Sequence, residues 1–458
     1  MKYDLVVIGG GPGGYVAAIR AAQLKLNVAV VEKDKLGGIC LNWGCIPTKS
    51  LLKNAEILQT IKSASTFGIT IDNYTVDWKK VIKRSRDVSR RLNKGIHYLL
   101  KKNAIKHFNG TAKLLDKNSI EIKTGSESVN ITAKNIILAT GARANYFEGM
   151  EPNGKSIITY KEAMTLPEKP DSMVIIGAGA IGVEFADFYN TFGTKITLIE
   201  GLPRILPSED EEISKELDKV FRKRGIDIQC NEMVLNIKSN EKSVKTRLKS
   251  GKNIESDKVL VAVGVKPNIE NLGLEKLKIK FSNNGIQTNE FLQTNVKNIY
   301  AIGDVAGPPM LAHKASEEGI IAAEYIAGSN PSPMEYDNIP GCVYCHPEVA
   351  SVGLTEEKAK ENGYQIKVGR FPLKALGKAM ATGDTDGFVK IIYDEKYGEL
   401  LGCHIIGKDA TNLITEAGIA RKLESTWNEV LTTIHPHPTL SEAIMEATAD
   451  ALGEAIHI

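Results

Sequence analysis

The sequence predicts an α/β protein that contains two similar doubly wound units followed by a smaller α+β unit. Two glycine-rich turns, at residues 9–14 and 177–182, each follow a short apolar run and precede a stretch with helical periodicity. Near residue 329 the composition changes, prolines become frequent, and strand-like segments mix with helices. With 458 residues, the chain is long enough for roughly three domains of about 150 residues each.

Charge and hydropathy exclude several classes of protein. The chain carries 58 Lys and Arg residues against 55 Asp and Glu residues with the two signs interspersed, so its net charge of +3 predicts no nucleic-acid partner. No apolar run reaches the roughly 18 residues of a membrane span, and the first apolar stretch is too short for a signal sequence. We therefore expect a cytoplasmic protein without membrane contact, although a mature organellar protein that has lost its transit peptide has the same features. Six cysteines are too few for a disulfide-stapled secreted domain.

The first unit opens with a short apolar strand and a turn that carries Gly9, Gly11 and Gly14. In such a turn the first glycine allows the tight bend, the second lets a pyrophosphate approach the backbone, and the third packs the helix on the strand. A second strand, at residues 28–31, ends at Glu32, 18 residues after the last glycine. A carboxylate at that place can accept the ribose hydroxyls of an adenosine. The segment therefore predicts a site for an adenine dinucleotide.

The second unit repeats this pattern. Its glycines are Gly177, Gly179 and Gly182, and Glu200 again lies 18 residues after the last of them. Two matches with the same spacing are improbable by chance, so two dinucleotides are predicted. Glu200 would repel the 2′-phosphate of NADP and no cation follows it directly, which favours NAD. Arg204 is the nearby residue most able to reverse this preference.

The remaining elements connect and extend the two units. They are a helix at residues 74–102, strands at 135–141, 258–264 and 298–304, a helix from about residue 314, and C-terminal strands at 349–352, 387–393 and 400–406. Turns at the ends of the first three strands contain Thr140, Gly141, Gly264, Gly303 and Asp304. We predict domain boundaries that divide the chain into residues 1–145, 146–270, 271–337 and 338–458.

A segment at residues 37–49 contains two cysteines, Cys40 and Cys45, shortly after the first nucleotide-binding strand. A regular helix would separate such Cα atoms by roughly 8–9 Å, whereas a disulfide needs about 4.4–6.8 Å. Gly44 and Pro47 supply the necessary distortion. The pair is therefore either a redox pair beside a flavin or, without that context, half of a zinc site or plain core, and no His or Cys lies near enough in sequence to complete a metal site.

Three further patterns have a structural and a chemical interpretation. Ser208 and Glu211 form a capping-box pattern, so we interpret the acidic run at 209–212 as a solvated helix start. Thr439 and Glu442 form another, which competes with a catalytic interpretation of the histidines beside it. The pattern at 342–346, Cys-x-x-Cys-His, matches c-type haem attachment. A second redox pair or a metal site is the alternative there, and ordinary strand cysteines are the default.

Together these residues resemble the pyridine nucleotide–disulfide oxidoreductases over essentially the whole chain, and within that family the members that oxidise dihydrolipoyl groups. The resemblance rests on six segments in the family's order: 9–14, 37–49, 139–141, 177–184, 301–304 and 435–442. The departures are Ile39 and Trp43, where the family often has a threonine and a smaller or basic residue. They could change a rate or a potential, but they remove no catalytic group.

The resemblance implies two Rossmann-like dinucleotide-binding domains, for FAD and NAD, plus a C-terminal α+β dimerisation domain. In order along the chain, the predicted domains are the first part of the FAD-binding domain, the NAD-binding domain, the central part of the FAD-binding domain and the interface domain. The residues implied for FAD are Gly9, Gly11, Gly14, Glu32, Lys49 near the flavin ring, Thr140, Gly141, Gly303, and Asp304 on the ribityl chain. Those implied for NAD are Gly177, Gly179, Gly182, Glu184 near the nicotinamide, Glu200 and Gly264.

The resemblance also implies the catalytic groups. Cys40 would exchange with the substrate, Cys45 would face the flavin, and His437 of the partner subunit, oriented by Glu442, would act as the acid–base catalyst in a homodimer. A thiolate rather than a thiol attacks a disulfide, so a base with a pKa near neutrality has to hold the proton.

The implied reaction is oxidation of a dihydrolipoyl group carried by an acyltransferase subunit or a glycine-cleavage protein, with reduction of NAD. The chain begins at the flavin strand, so we do not expect a fused lipoyl domain. One alternative is an NADPH-dependent reductase of another disulfide such as glutathione, which usually carries basic residues around position 200. Another is a non-catalytic flavin-bound scaffold, against which the presence of the catalytic groups argues.

Overall fold

The computed structural model describes residues 1–240 and 243–458 of the chain. These residues form two compact units, each assembled from three separate stretches. The first unit contains Met1–Leu51, Asp77–Asn145 and Gly264–Met334, and the second contains Leu52–Val76, Tyr146–Val263 and Glu335–Ile458. Within the described residues, no helix is both long enough and apolar enough to cross a membrane.

The strands and helices follow one another along the chain as the sequence patterns require. The strands are β1 Lys2–Ile8, β2 Val28–Glu32, β3 Lys106–Asn109, β4 Thr111–Leu114, β5 Ser119–Thr124, β6 Glu127–Leu138, β7 Ala142–Ala144, β8 Ile157–Ile158, β9 Ser172–Ile176, β10 Lys195–Ile199, β11 Asp227–Gln229, β12 Val234–Ser239, β13 Val244–Leu248, β14 Asn253–Ser256, β15 Lys258–Val261, β16 Val265–Pro267, β17 Phe281–Ser282, β18 Gly285–Ile286, β19 Ile299–Ala301, β20 Gly341–Val343, β21 Glu348–Gly353, β22 Ile366–Pro372, β23 Phe388–Asp394 and β24 Leu400–Gly407. The helices are α1 Pro12–Gln23, α2 Gly38–Trp43, α3 Cys45–Ser63, α4 Trp78–Lys102, α5 Tyr160–Ala163, α6 Ala180–Thr191, α7 Glu211–Lys223, α8 Ala312–Ile326, α9 Glu356–Glu361, α10 Gly377–Thr382, α11 Ala410–Lys422, α12 Trp427–Thr432 and α13 Glu442–Ala451.

The first unit is built on one mixed sheet with the strand order β3-β2-β1-β6-β5-β4, and β19 also pairs with β6. β1, β2, β3, β6 and β19 are parallel neighbours, so their carboxyl ends lie at one edge of the sheet. Leu5, Val6 and Val7 of β1 are fully buried. A strand covered on both faces has this continuous apolar sequence rather than an alternating one.

The second unit contains a parallel sheet, a small antiparallel sheet and a larger antiparallel sheet. The parallel sheet has the order β11-β10-β9-β15-β8, and the larger antiparallel sheet has the order β20-β21-β24-β23-β22. α11 and α13 pack against the antiparallel sheet, and their apolar faces share its core. The predicted fold class, two doubly wound dinucleotide-binding domains and a C-terminal α+β domain, is confirmed.

Element boundaries differ from the sequence prediction at several ends. The long helix α4 begins at Trp78 rather than at residue 74, because the side chain of Asp77 accepts a hydrogen bond from the Lys80 N–H and caps it. The predicted capping box of Ser208 and Glu211 is wrong, and the acidic run at 209–212 is not fully solvated, because Glu209 and Asp210 are buried. The cap of α7 is Asp210, whose Oδ1 accepts the Glu212 N–H at 3.0 Å.

Candidate active site

The first glycine turn has no room for side chains. Gly9 has φ = +110°, and a Cβ atom there would lie 2.1 Å from the carbonyl oxygen of Ala139. A Cβ on Gly14 would lie 1.9 Å from the carbonyl oxygen of Gly9. Gly11 is the N-cap of α1 and no side chain caps this helix end. The first N–H groups of α1 therefore face a cradle that suits a phosphate.

Glu32 closes this turn from the end of β2. Its Oε2 accepts the Gly10 N–H and its Oε1 accepts the Asp34 N–H, both at 2.8 Å. Each carboxylate oxygen has a second lone pair, so Glu32 can still accept the hydroxyls of a ribose while it holds the turn. This geometry fits the adenosine end of FAD.

The second glycine turn repeats the first. Gly177 has φ = +98°, and a Cβ there would lie 2.4 Å from the carbonyl oxygen of Ala262. A Cβ on Gly182 would lie 1.9 Å from the carbonyl oxygen of Gly177. Gly179 is the N-cap of α6, again without a side-chain cap, and a Cβ there would meet no atom within 4 Å. The residues therefore fit a second pyrophosphate.

Glu200 closes the second turn as Glu32 closes the first. Its Oε2 accepts the Ala178 N–H at 2.7 Å and its Oε1 accepts the Leu202 N–H at 2.9 Å. Arg204, which could have favoured NADP, has a guanidinium nitrogen 3.6 Å from Oε2 of Glu357 and donates to the Pro207 carbonyl. The carboxylate at position 200 and the engaged arginine both favour NAD.

Two turns at the carboxyl ends of β6 and β19 contain the other residues predicted for FAD except Lys49, which lies on α3. Thr140 donates from Oγ1 to the Asn268 carbonyl at 2.8 Å, and a Cβ on Gly141 would meet no atom within 4 Å. Asp304 follows Gly303 in the turn after β19. Burial raises the pKa of Asp304, with opposition from the charge of Lys314. The Asp304 carboxylate accepts no hydrogen bond from the residues described here, so it can bind the hydroxyls of a ribityl chain.

The helical structure of the cysteine segment is interrupted at Gly44, one of the two residues expected to distort it. α2 ends at Trp43, Gly44 has φ = −145° and ψ = −115°, and α3 begins at Cys45. Pro47 lies in the first turn of α3, where its missing N–H costs no helical hydrogen bond. The expected distortion therefore falls on Gly44, and Pro47 is compatible with the helix that follows.

Cys40 and Cys45 are both thiols in the structure. The pKa of Cys40 is raised, first by a hydrogen bond between its side chain and that of Cys45 and then by burial, while the positive charge of Lys49 acts in the opposite direction. The two sulfurs are thus in hydrogen-bonding contact. This contact is what a pair needs to cycle between dithiol and disulfide.

Residues of α4 support the cysteine segment, and the sequence analysis did not single them out. Arg86 donates to the carbonyl of Asn42 at 2.7 Å, and its guanidinium carbon lies 5.3 Å from the centre of the Trp43 ring. Asn93 donates to the carbonyl of Leu36 at 2.5 Å. The only sequence signal was the basic face of an amphipathic helix, which is usually solvated. Trp43, a departure from the family, is therefore part of a packed support.

His437 and Glu442 lie side by side in the second unit. Nδ1 of His437 is 2.8 Å from Oε1 of Glu442, and Oε2 of Glu442 accepts the Thr439 N–H at 2.8 Å. Burial acts to raise the pKa of Glu442, but the Thr439 bond and His437 outweigh it, so the pKa is lowered. The His437 side chain is 76% exposed. The carboxylate therefore fixes the imidazole through Nδ1 and leaves Nε2 able to exchange a proton.

The neighbouring His435 differs from His437 in its partners. Its Nε2 lies 2.8 Å from Oε1 of Glu416, and its Nδ1 lies 3.0 Å from the carbonyl oxygen of Thr433. Only 5% of its side chain is exposed. Both ring nitrogens are engaged, so His435 has a structural role and His437 is the residue suited to acid–base chemistry.

Glu184 and the cysteines of the 342–346 pattern meet in the second unit. Oε1 of Glu184 on α6 accepts the Tyr344 N–H at 3.0 Å. Cys345 is buried, donates from Sγ to the Pro347 carbonyl at 3.1 Å, and burial raises the pKa of its thiol well above the usual value. Residues 1–240 and 243–458 contain no group of three or more His, Cys, Asp or Glu side chains placed to hold a metal ion. Cys345 fits the default interpretation of a structural cysteine.

Family comparisons cover most of the chain. Residues 3–319 match the family described as pyridine nucleotide-disulphide oxidoreductase. Residues 339–448 match the dimerisation domain of the same family. The match supports assembly of the chain as a homodimer.

Similar proteins extend over the full length. The chain is 48% identical over 462 residues to a dihydrolipoyl dehydrogenase of Zymomonas mobilis subsp. mobilis, with 99% of each chain covered. It is 46% identical over 470 residues to a dihydrolipoyl dehydrogenase of Bacillus subtilis, covering 100% of this chain and 99% of the relative. Among solved structures, LpdA from Mycobacterium tuberculosis matches with a TM-score of 0.92 and 26% identity, over 97% of this chain and 98% of that chain. The HOCl-induced flavoprotein disulfide reductase RclA from Escherichia coli matches with a TM-score of 0.87 and 27% identity, over 98% and 99%.

Proposed function

Because this chain belongs to the pyridine nucleotide-disulphide oxidoreductase family, we propose that it oxidises protein-bound dihydrolipoyl groups and passes their electrons through Cys40 and Cys45 to FAD and then to NAD. The chain is an FAD- and NAD-dependent oxidoreductase, as the sequence predicted. The contact between the two cysteine side chains, in the unit that also contains the first glycine turn, is the observation that carries the proposal.

The thiol chemistry balances as a two-electron exchange. One sulfur of the substrate dithiol attacks Cys40 of the oxidised pair, and the Cys40–Cys45 bond breaks with Cys45 leaving as a thiolate. The second substrate sulfur then displaces Cys40, so the substrate becomes a cyclic disulfide and the protein holds two reduced sulfurs. FAD, held by the residues of the first glycine turn, would supply an acceptor for this electron pair and a hydride donor for NAD. The net products are the substrate disulfide, NADH and one proton.

We assign proton transfer to His437. Its Nε2 accepts the proton of the attacking substrate thiol, which raises the fraction of reactive thiolate. Glu442, held as a carboxylate by the Thr439 N–H, stabilises the imidazolium that forms. The strong exposure of His437 in one chain supports a site completed by His437 of the partner subunit. His437 and Glu442 also lie within the stretch that matches the dimerisation domain.

We assign the cofactors to the two repeated turns and their neighbours. FAD takes Gly9, Gly11, Gly14, Glu32, Lys49, Thr140, Gly141, Gly303 and Asp304. NAD takes Gly177, Gly179, Gly182, Glu184, Glu200 and Gly264. The assignment is supported by the crowded glycines, by the helix ends without a side-chain cap, and by the Asp304 carboxylate, which accepts no hydrogen bond within residues 1–240 and 243–458.

The relatives' names support a lipoyl-bearing partner. We propose that the dihydrolipoyl group is presented by an acyltransferase subunit or by a glycine-cleavage protein, because such groups are carried on these proteins. The cytoplasmic location stays a prediction. The division of the chain into residues 1–145, 146–270, 271–337 and 338–458 also stays a prediction.

The proposal is tested by adding dihydrolipoamide and NAD to the purified, FAD-loaded protein and following NADH. We expect rapid NADH formation, and we expect it to be abolished in Cys45→Ser with FAD still bound. If the protein reduces glutathione disulfide with NADPH and does not oxidise dihydrolipoamide with NAD, it is the alternative disulfide reductase. An unchanged physiological effect of Cys45→Ser would favour the scaffold.

A further inference from the structure

A fully buried ion pair lies on α8, outside the residues assigned above. Lys314 and Glu318 are one helical turn apart, each side chain is 1% exposed, and Nζ lies 3.0 Å from Oε1. Charged side chains are almost never buried to this extent unless they are paired. An apolar pair of similar size often serves stability as well as a buried ion pair does. We therefore expect Lys314 and Glu318 to hold a specific part of the structure in position.

The pair bonds to both backbone groups of Gly303. The three protons of the Lys314 ammonium point to three acceptors, namely Glu318 Oε1, the Gly303 carbonyl at 3.2 Å and the Gly307 carbonyl at 2.9 Å. Oε2 of Glu318 accepts the Gly303 N–H at 2.6 Å. The turn between Gly303 and Gly307 is thus held at its start by both side chains and at its end by Lys314.

This turn contains Asp304, the carboxylate without a hydrogen-bond partner among the described residues. Its two neighbouring fixed points, Gly303 and Gly307, leave the Asp304 backbone little freedom. The charges of Lys314 and Glu318 also act on the pKa of Asp304, the first lowering it and the second raising it, so the two effects oppose each other.

The helix that carries Lys314 and Glu318, α8, packs closely on α1, the helix that follows the first glycine turn. A Cβ on Gly13 of α1 would lie 2.7 Å from the carbonyl oxygen of Ala315, and a Cβ on Gly319 would lie 2.6 Å from the carbonyl oxygen of Gly13. α8 is therefore in fixed register with α1. The pair connects the Asp304 turn to the helix whose N-terminus forms the first phosphate cradle.

We propose that Lys314 and Glu318 are positioning residues that hold the Asp304 turn in the geometry required to bind the isoalloxazine-bearing end of FAD. The inference rests on the proposed assignment of FAD to the first unit. Neither residue touches the reacting atoms, and both act through the backbone of Gly303 and Gly307.

The principal test is the double substitution Lys314→Met with Glu318→Leu, which removes both charges together and so leaves no buried unpaired ion. We expect a folded protein whose apo form binds FAD about tenfold or more weakly, since a misplaced hydrogen-bonding group at a buried site loses affinity of this order. FAD affinity is measured by the quenching of flavin fluorescence, and the flavin midpoint potential is measured on the reloaded protein. We expect the potential to shift.

A second variant guards against a failure to fold. Lys314→Met with Glu318→Gln keeps the size of the acidic side chain and a carbonyl oxygen for the Gly303 N–H, and it leaves no buried unpaired ion, so we expect a smaller loss of FAD affinity than in Lys314→Met with Glu318→Leu. Glu317→Gln makes the same chemical change at the exposed neighbouring position on the same helix and is the matched control. Hydrogen exchange of residues 303–307 in the apoprotein should be faster in the two test variants and unchanged in the control.

The outcomes separate this inference from the proposed function. Wild-type FAD affinity, flavin potential and hydrogen exchange in both test variants would overturn the positioning role. Absence of dihydrolipoamide oxidation in the FAD-loaded wild type would overturn the proposed substrate and leave the FAD measurements interpretable. A wild-type protein that binds no FAD would overturn the assignment on which the inference rests.

Discussion

The side chains of Cys40 and Cys45 hydrogen bond to each other, and the charge of Lys49 opposes the resulting rise in the pKa of Cys40. The reactivity of this pair therefore depends on the balance between the hydrogen bond, burial and the positive charge of Lys49. The same kind of balance holds at His437, where the lowered pKa of Glu442 keeps a negative charge beside the imidazole. Substitutions of Lys49 and Glu442, the charged residues next to the reactive sulfur and nitrogen atoms, are therefore the most informative.

Lys49→Met should make the reduced protein less reactive toward a thiol alkylating reagent near neutral pH. Removal of the positive charge raises the pKa of Cys40 further, so less thiolate is present at any given pH and the alkylation profile moves to higher pH. The profile is recorded from the rate of iodoacetamide incorporation into the apoprotein. Lys53→Met, one turn further along α3 and exposed, is the control. A profile that does not move in Lys49→Met would contradict the role of its charge.

Glu442→Gln should lower kcat for dihydrolipoamide oxidation by about a hundredfold, the lower end of the range of general acid–base effects. Loss of the carboxylate destabilises the imidazolium, so the acidic limb of the pH–rate profile should move to lower pH. Glu416→Gln removes the matching carboxylate from His435 and should leave this limb unchanged. FAD content has to be equal in all three proteins. An equal shift in both variants would remove the distinction between the two histidines.

Among the elements of the second unit, α7 is held to the antiparallel sheet by a network of charges. Nζ of Lys390 on β23 lies 2.9 Å from Asp210, 2.7 Å from Glu212 and 2.8 Å from Glu356. Arg370 on β22 donates to Glu212 from two guanidinium nitrogens, at 2.8 and 2.6 Å. Lys390 and Asp210 are each 2% exposed, so this part of the network is shielded from salt.

The network should give the second unit an acid-sensitive stability. The Arg370 hydrogen bond, with help from Lys390, lowers the pKa of Glu212 to about 2. The folded pKa lies below the unfolded value of about 4.3, so the stabilisation is fully present above the unfolded value and is lost as the pH falls through the folded one. Melting temperatures of the wild type and Glu212→Gln should therefore differ near neutrality and converge in acid.

The control for this prediction is Glu211→Gln on the same helix. Its partner Lys215 and its own carboxylate are both exposed, so the pair is weak and screened by salt. We expect little change in melting temperature in about 0.5 M salt, more than enough to screen exposed charges. A difference between the wild type and Glu212→Gln that stays constant down to strongly acidic pH would argue against the assigned ionisation.

Across the whole molecule, the two cofactor turns could be predicted from the sequence, and the contacts between distant or buried charged side chains could not. Gly14 and Gly182 follow a local pattern, because each has to lie against a backbone oxygen of its own turn. The bond of Lys390 to Asp210 joins residues 180 positions apart, and no local pattern encodes it. The spacing of Lys314 and Glu318 is the same as that of an ordinary ion pair on a helix surface, and periodicity does not report which side chains the next element buries. His435 and His437 share one motif, and only their partners distinguish them.

Mixing two inactive variants should restore activity if the site is shared between subunits. In a dimer of Cys45→Ser with His437→Gln, one site has both changes and the other has neither. Random assortment in co-expressed protein should then give about a quarter of wild-type activity per chain, as two-fold symmetry requires. Activity is measured as NADH formation after purification of the mixed protein. No recovery, with mixed dimers demonstrated by mass spectrometry, would place the cysteines and the histidine of one site in the same chain.

The matching carboxylates at the ends of β2 and β10 have a consequence for how the cofactors arrive. Glu32 and Glu200 each fasten their glycine loop through one backbone N–H of that loop, and each accepts a second backbone N–H from the residue two positions after itself. Neither loop has to become ordered when its nucleotide binds, because the loss of loop entropy occurs during folding. Each nucleotide should therefore bind to a loop that is already ordered. The association rate should depend on diffusion and charge rather than on loop closure.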